Sequence, residues 1–240
     1  MSGHSKWNNI KHKKEKTDAQ RAKVFTKIGK EIAMAVKAGG ADPNANSKLR
    51  DLISKAKSMN VPNDNIDRVI KKAASSDSEN YESIYYEGYG PSGIAVIVEC
   101  ATDNRNRTSA DLRHYFDKFG GNLGTTGCVS YLFADQGIVI LDAEGVDEDA
   151  VMEAALEAGA DDIGLEGDTF EVLTPVNDVY SVKEALEAAG YKVLSTEEAK
   201  IPSTYVNLSD EESVIKMQKL IDALDDNEDV QNYWHNWENE

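Results

Sequence analysis

Apolar residues recur at helical spacing in three short segments near the start of the chain. At 100° per residue, the apolar residues of the first segment fall on one side of a helix: Phe25, Ile28, Ile32 and Val36. Thr17 opens this helix with a capping-box pattern. A second helix is predicted near residues 46–59, and Asn63 can cap a third. We therefore predict a three-helix bundle, preceded by an extended or mobile arm over residues 1–16, which show no periodicity.

A β-rich region follows the bundle. Residues 81–90 and 93–102 are rich in β-branched and aromatic side chains, and the Gly-Pro-Ser-Gly turn that joins them predicts a hairpin. A helix is predicted near residues 108–119 and a strand over residues 128–133. The glycine-rich residues 120–127 lack the following lysine of a phosphate-binding loop, so they predict a turn that needs positive φ and close backbone approach.

Residues 137–199 contain predicted elements in the order βαββαβ. This order is typical of a ferredoxin-like unit, in which two helices pack on one face of an antiparallel sheet. Its candidate core residues are apolar: Ile138, Val139, Ile140, Val151, Leu156, Phe170, Val172 and Leu186. Residues 203–208, a helix over 210–223 and residues 229–234 are then predicted to return and complete the sheet that begins at Tyr81.

Together these elements predict an α+β fold of three domains. Residues 1–79 would form the basic arm and helical bundle. Residues 80–135 plus 201–240 would form a discontinuous α/β domain, and residues 136–200 the inserted ferredoxin-like domain. A chain of 240 residues is long enough for small domains that each have a core.

Charge divides the chain into a basic start and an acidic remainder. The net charge is −17, yet residues 1–80 contain 17 Lys and Arg against 9 Asp and Glu, whereas residues 81–240 contain 9 against 34. A sign reversal of this kind indicates that the basic part meets a polyanion. The alternative is that these charges form ordinary solvated helix faces.

Composition also indicates where the protein works. No apolar run approaches the length of a membrane span, and the N-terminus lacks the apolar stretch of a signal peptide. The two cysteines, Cys100 and Cys128, provide no disulfide framework. We therefore expect a cytoplasmic protein, a monomer, without a cofactor and without a membrane partner.

The arm and the first helix supply most of the candidate nucleic-acid-binding residues. Lysines can contact phosphates, Trp7 can stack on a base, and the row of lysines on the first helix lies opposite its apolar side. The alternative is a solubilising tail. The candidates from this region are Lys6, Trp7, Lys11, His12, Lys13, Lys14, Lys16, Arg21, Lys23, Lys27 and Lys30.

Arg105 and Arg107 form a second candidate site. They precede the helix predicted at residues 108–119, with Thr108 or Ser109 as its cap. A helix N-terminus beside two guanidinium groups is suited to a phosphate or carboxylate. The alternative is that both arginines pair with nearby acids of the chain itself.

No catalytic motif is visible in the sequence. The four histidines do not pair with cysteine or acid at metal-ligand spacing, and no nucleophile or phosphate-binding signature is present. A hydrolase would have to be built from scattered acids such as Glu99, Asp103 and the pair Asp225–Asp226. We expect no enzymatic activity, and we keep an acidic-cleft hydrolase as a remote alternative.

Seven segments, in order from residue 3 to the C-terminal region, resemble the YebC/PmpR family. They are GHSKWNNIKHKK, KVFTKIGKEI, YEGYGPSGIAVIVECATDNRNRT, GGNLGTTGCVSYLF, EGDTFEVLTP, IPSTYVNL and DALDDNEDVQNYWHNW. That family includes bacterial probable transcriptional regulators and the mitochondrial translational activator of cytochrome c oxidase. The resemblance implies three domains around a cleft, no enzymatic activity, a cytoplasmic location in bacteria, and binding to nucleic acid or the ribosome.

Two functions fit these observations. One is DNA binding that regulates transcription. The other is a translation factor bound to rRNA on the ribosome, which assists elongation or relieves stalling. The residues favour RNA, because the second and third helices use their periodic positions for a core rather than for a recognition helix, and because a net charge of −17 is unsuited to searching duplex DNA.

Overall fold

The computed structural model describes residues 18–75 and 80–238, with side chains from residue 22 onward in the first helix. The described chain divides into two compact units. We call residues 131–205 the inserted unit, and residues 18–130 together with 206–237 the main unit. The helical bundle and one of the four-stranded sheets both belong to the main unit, and the division of the chain into three domains stays a prediction.

The secondary structure alternates short helices and strands, which confirms the α+β class. The elements are α1 (Asp18–Gly39), α2 (Ser47–Ser58), α3 (Asn63–Ala73), β1 (Glu82–Tyr89), β2 (Ala95–Thr102), α4 (Arg105–Lys118), β3 (Asn122–Leu123), β4 (Phe133–Asp142), α5 (Glu148–Glu157), β5 (Asp162–Glu166), β6 (Thr169–Pro175), α6 (Val179–Ala188), β7 (Val193–Pro202), β8 (Val206–Asn207), α7 (Glu211–Asp226), β9 (Val230–His235) and β10 (Trp237–Glu238). None of the helices found in the described ranges combines the length and apolar character that a membrane span requires.

The three predicted helices of the bundle are present. The side-chain oxygen of Asn46 caps α2 by accepting a hydrogen bond from the Leu49 amide at 3.0 Å. Asn63 does not cap α3 as predicted: Pro62 occupies the cap position, and Asn63 is the first helical residue. The predicted capping residue Thr17 lies outside the described residues. The bundle core includes the apolar side of α1. Its buried residues are Ile28, Ile32 and Val36 of α1, Leu49 and Leu52 of α2, and Ile66 of α3, among others.

The main unit's sheet has the order β3-β1-β2-β9, and every neighbouring pair is antiparallel. The predicted hairpin is therefore confirmed, and residues 230–235 return to the sheet as expected. Helices α4 and α7 supply apolar side chains to the core that also contains β2. This core includes Val96, Val98, Cys100, Leu112, Phe116, Met217, Leu220 and Leu224.

Three predicted elements of the main unit differ in the structure. α4 begins at Arg105 rather than near Thr108, because Asn104 caps it by accepting from the Arg107 amide at 3.1 Å. The predicted strand over 128–133 is replaced by a short 3-10 turn, Ser130–Leu132, and β4 starts at Phe133. The predicted strand over 203–208 shortens to β8, which pairs with β10 and not with the four-stranded sheet.

The glycine-rich segment 120–127 forms turns at its two ends, as predicted, but the strand β3 lies between them and pairs with β1. Gly120 and Gly127 have φ values of +83° and +90°, and a Cβ atom on Gly121 would overlap the carbonyl oxygen of Tyr89. The loop that follows is held by the buried carboxylate of Glu87. This carboxylate accepts hydrogen bonds from three backbone amides at 2.8–2.9 Å, those of Gly127, Val129 and Ser130.

The inserted unit has the predicted βαββαβ order. Its antiparallel sheet runs β5-β6-β4-β7, which is the strand arrangement of a ferredoxin-like fold. Its core contains Val139, Leu141, Val151, Ala155, Phe170, Val172, Val182 and Leu186. The prediction of Leu156 as a core residue is wrong, since its side chain lies on the outer side of α5 and is 55% exposed.

Candidate nucleic-acid interface

All seven candidate residues of the arm lie in the part of the chain that the structure does not describe. Lys6, Trp7, Lys11, His12, Lys13, Lys14 and Lys16 lie outside the described residues, and Arg21 is described only as backbone within α1. Their predicted contact with nucleic acid stays a prediction. The remaining candidates, on α1 and at the start of α4, have defined positions in the main unit.

The lysines of α1 point at the C-terminal end of α7 and the residues after it. We call residues 225–229 the acidic turn. The ammonium nitrogen of Lys23 lies 2.8 Å from a carboxylate oxygen of Asp226, and that of Lys27 donates to the carbonyl oxygen of Asp225 at 2.8 Å. The C-terminal end of a helix carries partial negative charge, which adds to that of the two acids. The lysine row therefore has oxygen partners within the main unit.

Lys30 lies one turn further along α1 and is buried. Its ammonium nitrogen lies 2.6 Å from Asp229 and also donates to the carbonyl oxygen of Glu228 at 3.1 Å. Counted over the whole residue, Lys30 is 8% exposed and Asp229 is 5% exposed. A buried ammonium in this setting cannot reach an external phosphate, so we assign Lys30 a structural role.

The carboxylate of Asp229 also accepts hydrogen bonds from side chains in the first turn of α4. A guanidinium nitrogen of Arg107 lies 2.8 Å and 3.1 Å from the two oxygens of Asp229, and the Thr108 hydroxyl donates to one of them at 2.8 Å. We call Lys30, Arg107, Thr108 and Asp229 the Asp229 cluster. It joins α1, α4 and the start of β9 through one side chain.

The cluster keeps Asp229 ionised. Burial alone would raise the pKa of this carboxyl, but hydrogen bonds from Lys30, Arg107 and Thr108 outweigh burial and hold its pKa below the ordinary value. The hydrogen bonds to Asp229 and then to Asp103 raise the pKa of Arg107 further above its ordinary range. The cluster is therefore a fixed ion group at neutral pH.

The two candidate arginines have different environments. Arg107 pairs with Asp229 and, at 3.0 Å, with Asp103, which is the alternative left open from the sequence. Arg105 is exposed, and its Nε lies 3.4 Å from a carboxylate oxygen of Glu82, whose side chain also faces solvent. The predicted caps, Thr108 and Ser109, are inside the helix, and both arginines belong to its first turn.

A polar cavity of about 370 Å³ opens beside the Asp229 cluster. It contains more acids than bases, so its own charge does not favour a phosphate. The lining residues are Thr26, Lys30, Tyr81, Asp103, Arg107, Asp111, Asn227, Glu228 and Asp229. Across the part of the chain that the structure describes, no group of three or more His, Cys, Asp or Glu is placed to hold a metal ion.

The inserted unit is strongly acidic. Residues 131–205 contain 18 Asp and Glu against 3 Lys and Arg. A surface of one sign repels a polyanion of the same sign over about one Debye length. The charge of the inserted unit therefore does not favour contact with a polyanion.

Sequence reasoning did not identify Asp229, which organises this region. The residue lies among many acids near the C-terminus, and its partners are far away in the sequence, with Lys30 and Asp229 separated by 199 positions. Hydrophobic periodicity carries no signal for such a pair. The reversal of charge between the two ends of the chain was the one indication that they could meet.

Two family models match the chain. The model described as "TACO1/YebC protein N-terminal domain" matches residues 5–76. The model described as "TACO1/YebC second and third domain" matches residues 81–237. The two matches together span both the basic and the acidic parts of the chain.

Individual proteins are similar over their whole length. A "Probable transcriptional regulatory protein" of Acetivibrio thermocellus is 56% identical over 239 residues, covering 99% of each chain. A protein of the same name from Finegoldia magna is 53% identical over 241 residues, covering 100% of each chain. The crystal structure of a conserved hypothetical protein from Aquifex aeolicus matches with a TM-score of 0.86 and 44% identity, over 98% of this chain and 97% of that one.

Proposed function

We propose, from the premise that this chain belongs to the TACO1/YebC family, that it is a non-enzymatic nucleic-acid-binding regulator of gene expression. The names of the relatives describe regulators and not enzymes. One observation carries the proposal: the N-terminal family model covers residues 5–76, which is also the part of the chain with an excess of Lys and Arg.

The proposed interface consists of the basic arm, the outer end of α1 and the exposed guanidinium group of Arg105 at the start of α4. Lysines of the arm would contact phosphates, and Trp7 would stack on an unpaired base. Lys23, with a side chain 35% exposed, and Lys27 extend this surface along α1. Lys30 is excluded because it is buried, and Arg107 because it is fixed on Asp229.

The nucleic acid in the primary proposal is DNA, with regulation of transcription in the cytoplasm. The second candidate is rRNA, with a role in translation on the ribosome. The arm favours the second candidate, because it interleaves lysines with one aromatic residue and two asparagines, Asn8 and Asn9. Such a combination suits unpaired bases and an irregular phosphate backbone better than the edges of a regular duplex.

The test compares binding of the full-length protein to single-stranded RNA, to duplex DNA and to ribosomes by co-sedimentation, each at several salt concentrations. With about four to six phosphate contacts, log K for single-stranded RNA should fall with log[salt] at a slope of roughly −3 to −4. The double variant Lys13→Ala with Lys14→Ala should flatten this slope. It should weaken binding to every sequence alike, because lysines on phosphates position a protein without specifying bases.

The chain offers a matched control in Lys71 and Lys72, two adjacent exposed lysines on α3. Lys71→Ala with Lys72→Ala removes the same charge outside the proposed interface and should leave the slope unchanged. Equal losses in both double variants would mean that net charge alone governs binding. Removal of residues 1–16 without any loss of binding would show that the arm is a solubilising tail.

Trp7→Ala separates stacking from charge. Loss of one stacked base should weaken binding by about 1 to 3 kcal/mol while leaving the salt slope almost unchanged. A Trp7→Ala variant that binds RNA as tightly as the wild type would remove the main reason for preferring RNA over DNA.

A further inference from the structure

The contact between α1 and the acidic turn has an exposed part and a buried part. In the exposed part, the side chains of Lys23 and Asp226 are 35% and 66% exposed, with 2.8 Å between the ammonium nitrogen and the carboxylate. In the buried part, the side chains of Lys30 and Asp229 are 9% and 7% exposed, with 2.6 Å between their charged atoms. The two ion pairs are two helical turns apart on one face of α1.

The exposed and the buried ion pair differ in how easily the lysine can exchange its acidic partner for another one. An ion pair in water contributes little to stability, because both ions are well solvated when apart. A buried pair cannot be opened without leaving a desolvated charge, so it stays closed in the folded protein. The buried part can therefore hold α1 against the acidic turn while the exposed part exchanges its partner.

The oxygen atoms that Lys23 and Lys27 contact within the protein resemble the phosphate oxygens of a nucleic acid. Each ammonium group lies 2.8 Å from an anionic or partly anionic oxygen, a carboxylate oxygen of Asp226 and the carbonyl oxygen of Asp225. Phosphate oxygens satisfy the same donors with the same kind of charged hydrogen bond. Because the Lys23 side chain is 35% exposed, a phosphate can approach its ammonium group from the solvent.

We propose that Lys23 and Lys27 form a phosphate-binding surface that the acidic turn occupies when nucleic acid is absent, with Asp226 as an internal competitor. This inference rests on the proposed function and adds to it a contact that limits affinity. It predicts that wild-type binding is weaker than the lysines alone would give, since one ion pair is broken whenever a phosphate binds.

The test is Asp226→Asn in the full-length protein, with binding of an oligouridine and of a duplex DNA measured over a range of salt. Removal of the competitor should raise affinity about two- to fivefold, which is the value of an exposed ion pair. In the wild type, salt weakens the pair between Lys23 and Asp226 as well as the phosphate contact of Lys23, and the two effects offset each other. Without Asp226 the full effect of that phosphate contact remains, so the slope of log K against log[salt] for the oligouridine should steepen by up to about 0.7.

Glu212→Gln is the matched control. Glu212 forms an exposed ion pair with Lys216, at 2.6 Å, at the other end of the same helix α7. This variant changes the net charge by the same amount and frees a different lysine, so it should not steepen the slope. The double variant Lys23→Ala with Asp226→Asn should lose the gain of Asp226→Asn.

The outcomes separate the two proposals. If Asp226→Asn binds with the same affinity as the wild type, or if Glu212→Gln raises the affinity as much as Asp226→Asn does, the competition is overturned. The proposed function still stands in both cases, because the wild type binds. Absence of binding to RNA, DNA and ribosomes by both the wild type and Asp226→Asn at low salt overturns both. Binding by Asp226→Asn that exceeds the wild type and depends on Lys23 supports both.

Discussion

The two units of this protein are both built from an antiparallel sheet with helices against it, but they bury different kinds of side chains. In the inserted unit the core is apolar. The unit contains 18 Asp and Glu but only 3 Lys and Arg. In the main unit the buried residues include Lys30, Glu87 and Asp229. Of the residues that the structure describes, these three are the ones with charged side chains that are buried.

This difference follows from what each unit has to join. The inserted unit closes a sheet with its own two helices within 75 consecutive residues, and apolar burial is sufficient for that. The main unit joins a helical bundle to a sheet whose last strand comes almost 200 residues after α1. There one carboxylate receives groups from two helices, and directional bonds fix their positions. We interpret the Asp229 cluster as the element that specifies this arrangement.

The largest effect is expected when the carboxylate of Asp229 is removed. Asp229→Ala leaves the buried ammonium of Lys30 without its counterion, and breaking a buried ion pair in this way costs about 3 to 5 kcal/mol. The free energy of unfolding can be followed in urea by tryptophan fluorescence. This signal reports on the main unit, because Trp234 and Trp237 are buried there and the inserted unit contains no tryptophan.

Asp226→Asn is the comparison for this variant, since Asp226 is the exposed acid of the same turn. Its loss should change the free energy of unfolding by less than about 1 kcal/mol. If both variants lower stability by similar small amounts, the Asp229 cluster does not hold the main unit together and the contrast between exposed and buried pairs is wrong.

A comparably large effect is expected for an apolar truncation in the inserted unit. Leu186 on α6 is fully buried, and Leu186→Ala should cost about 2 to 5 kcal/mol. The loss should appear in the helical circular dichroism signal, while the transition seen by tryptophan fluorescence stays in place. Leu156→Ala on the exposed side of α5 should stay within about 0.5 kcal/mol. A fluorescence transition that shifts together with the dichroism in Leu186→Ala would mean that the two units unfold as one.

The same contrast explains how much of the structure could be predicted from sequence. The order of elements in the inserted unit follows from hydrophobic periodicity, and the error at Leu156 arose because an apolar residue at the edge of a helix face was assigned to the core. In the main unit most elements also follow from the pattern, apart from the strands predicted over 128–133 and 203–208, but the partners of Lys23, Lys27 and Lys30 do not. Periodicity reports which side of a helix is polar and says nothing about which distant acid faces it.

The start of α4 shows the same limit at short range. Two serine and threonine candidates for the cap stand just after the arginines, and propensity alone does not exclude them. Asn104 caps the helix instead, and Thr108 lies inside the helix, where its hydroxyl donates to Asp229. The contact of Thr108 with a residue 121 positions away carries no signal in the local sequence.

A smaller effect, which depends on pH, is expected at Glu87. Burial would raise the pKa of this carboxyl, but hydrogen bonds from the amides of Gly127, Val129 and Ser130 outweigh burial and lower it from the ordinary value of 4.5. A lowered pKa in the folded state means that the stabilisation is present above pH 4.5 and is lost as the pH falls through the folded value. Glu87→Gln should cost about 1 to 3 kcal/mol at neutral pH, because at least one amide loses its charged acceptor.

Unfolding in urea at neutral pH and again at a pH below the folded pKa of Glu87 measures this effect. The difference between wild type and Glu87→Gln should shrink on acidification, since both side chains are then neutral. Glu99→Gln, on the neighbouring strand, is the control, because the carboxylate of Glu99 accepts from the side chains of Tyr85 and Asn232. A difference for Glu87→Gln that is the same at both pH values would show that the shape of the side chain matters and its charge does not.

The smallest effect on stability is expected for Arg105, and it sharpens the contrast because Arg107 is only two residues away. Arg105→Ala breaks an exposed pair with Glu82 and should change the free energy of unfolding by less than about 0.5 kcal/mol. Arg107→Ala removes one of the two cations from Asp229 and should cost about 1 kcal/mol, a value reduced by the partial exposure of its side chain.

For nucleic-acid binding, measured at one salt concentration, the order of the two variants should reverse: Arg105→Ala should lower the affinity more than Arg107→Ala does. Arg105 has a solvent-facing guanidinium that a phosphate can reach, whereas Arg107 is held by two carboxylates. Loss of binding in Arg107→Ala with none in Arg105→Ala, at equal folded content, would contradict this assignment and would place the Asp229 cluster in the nucleic-acid interface.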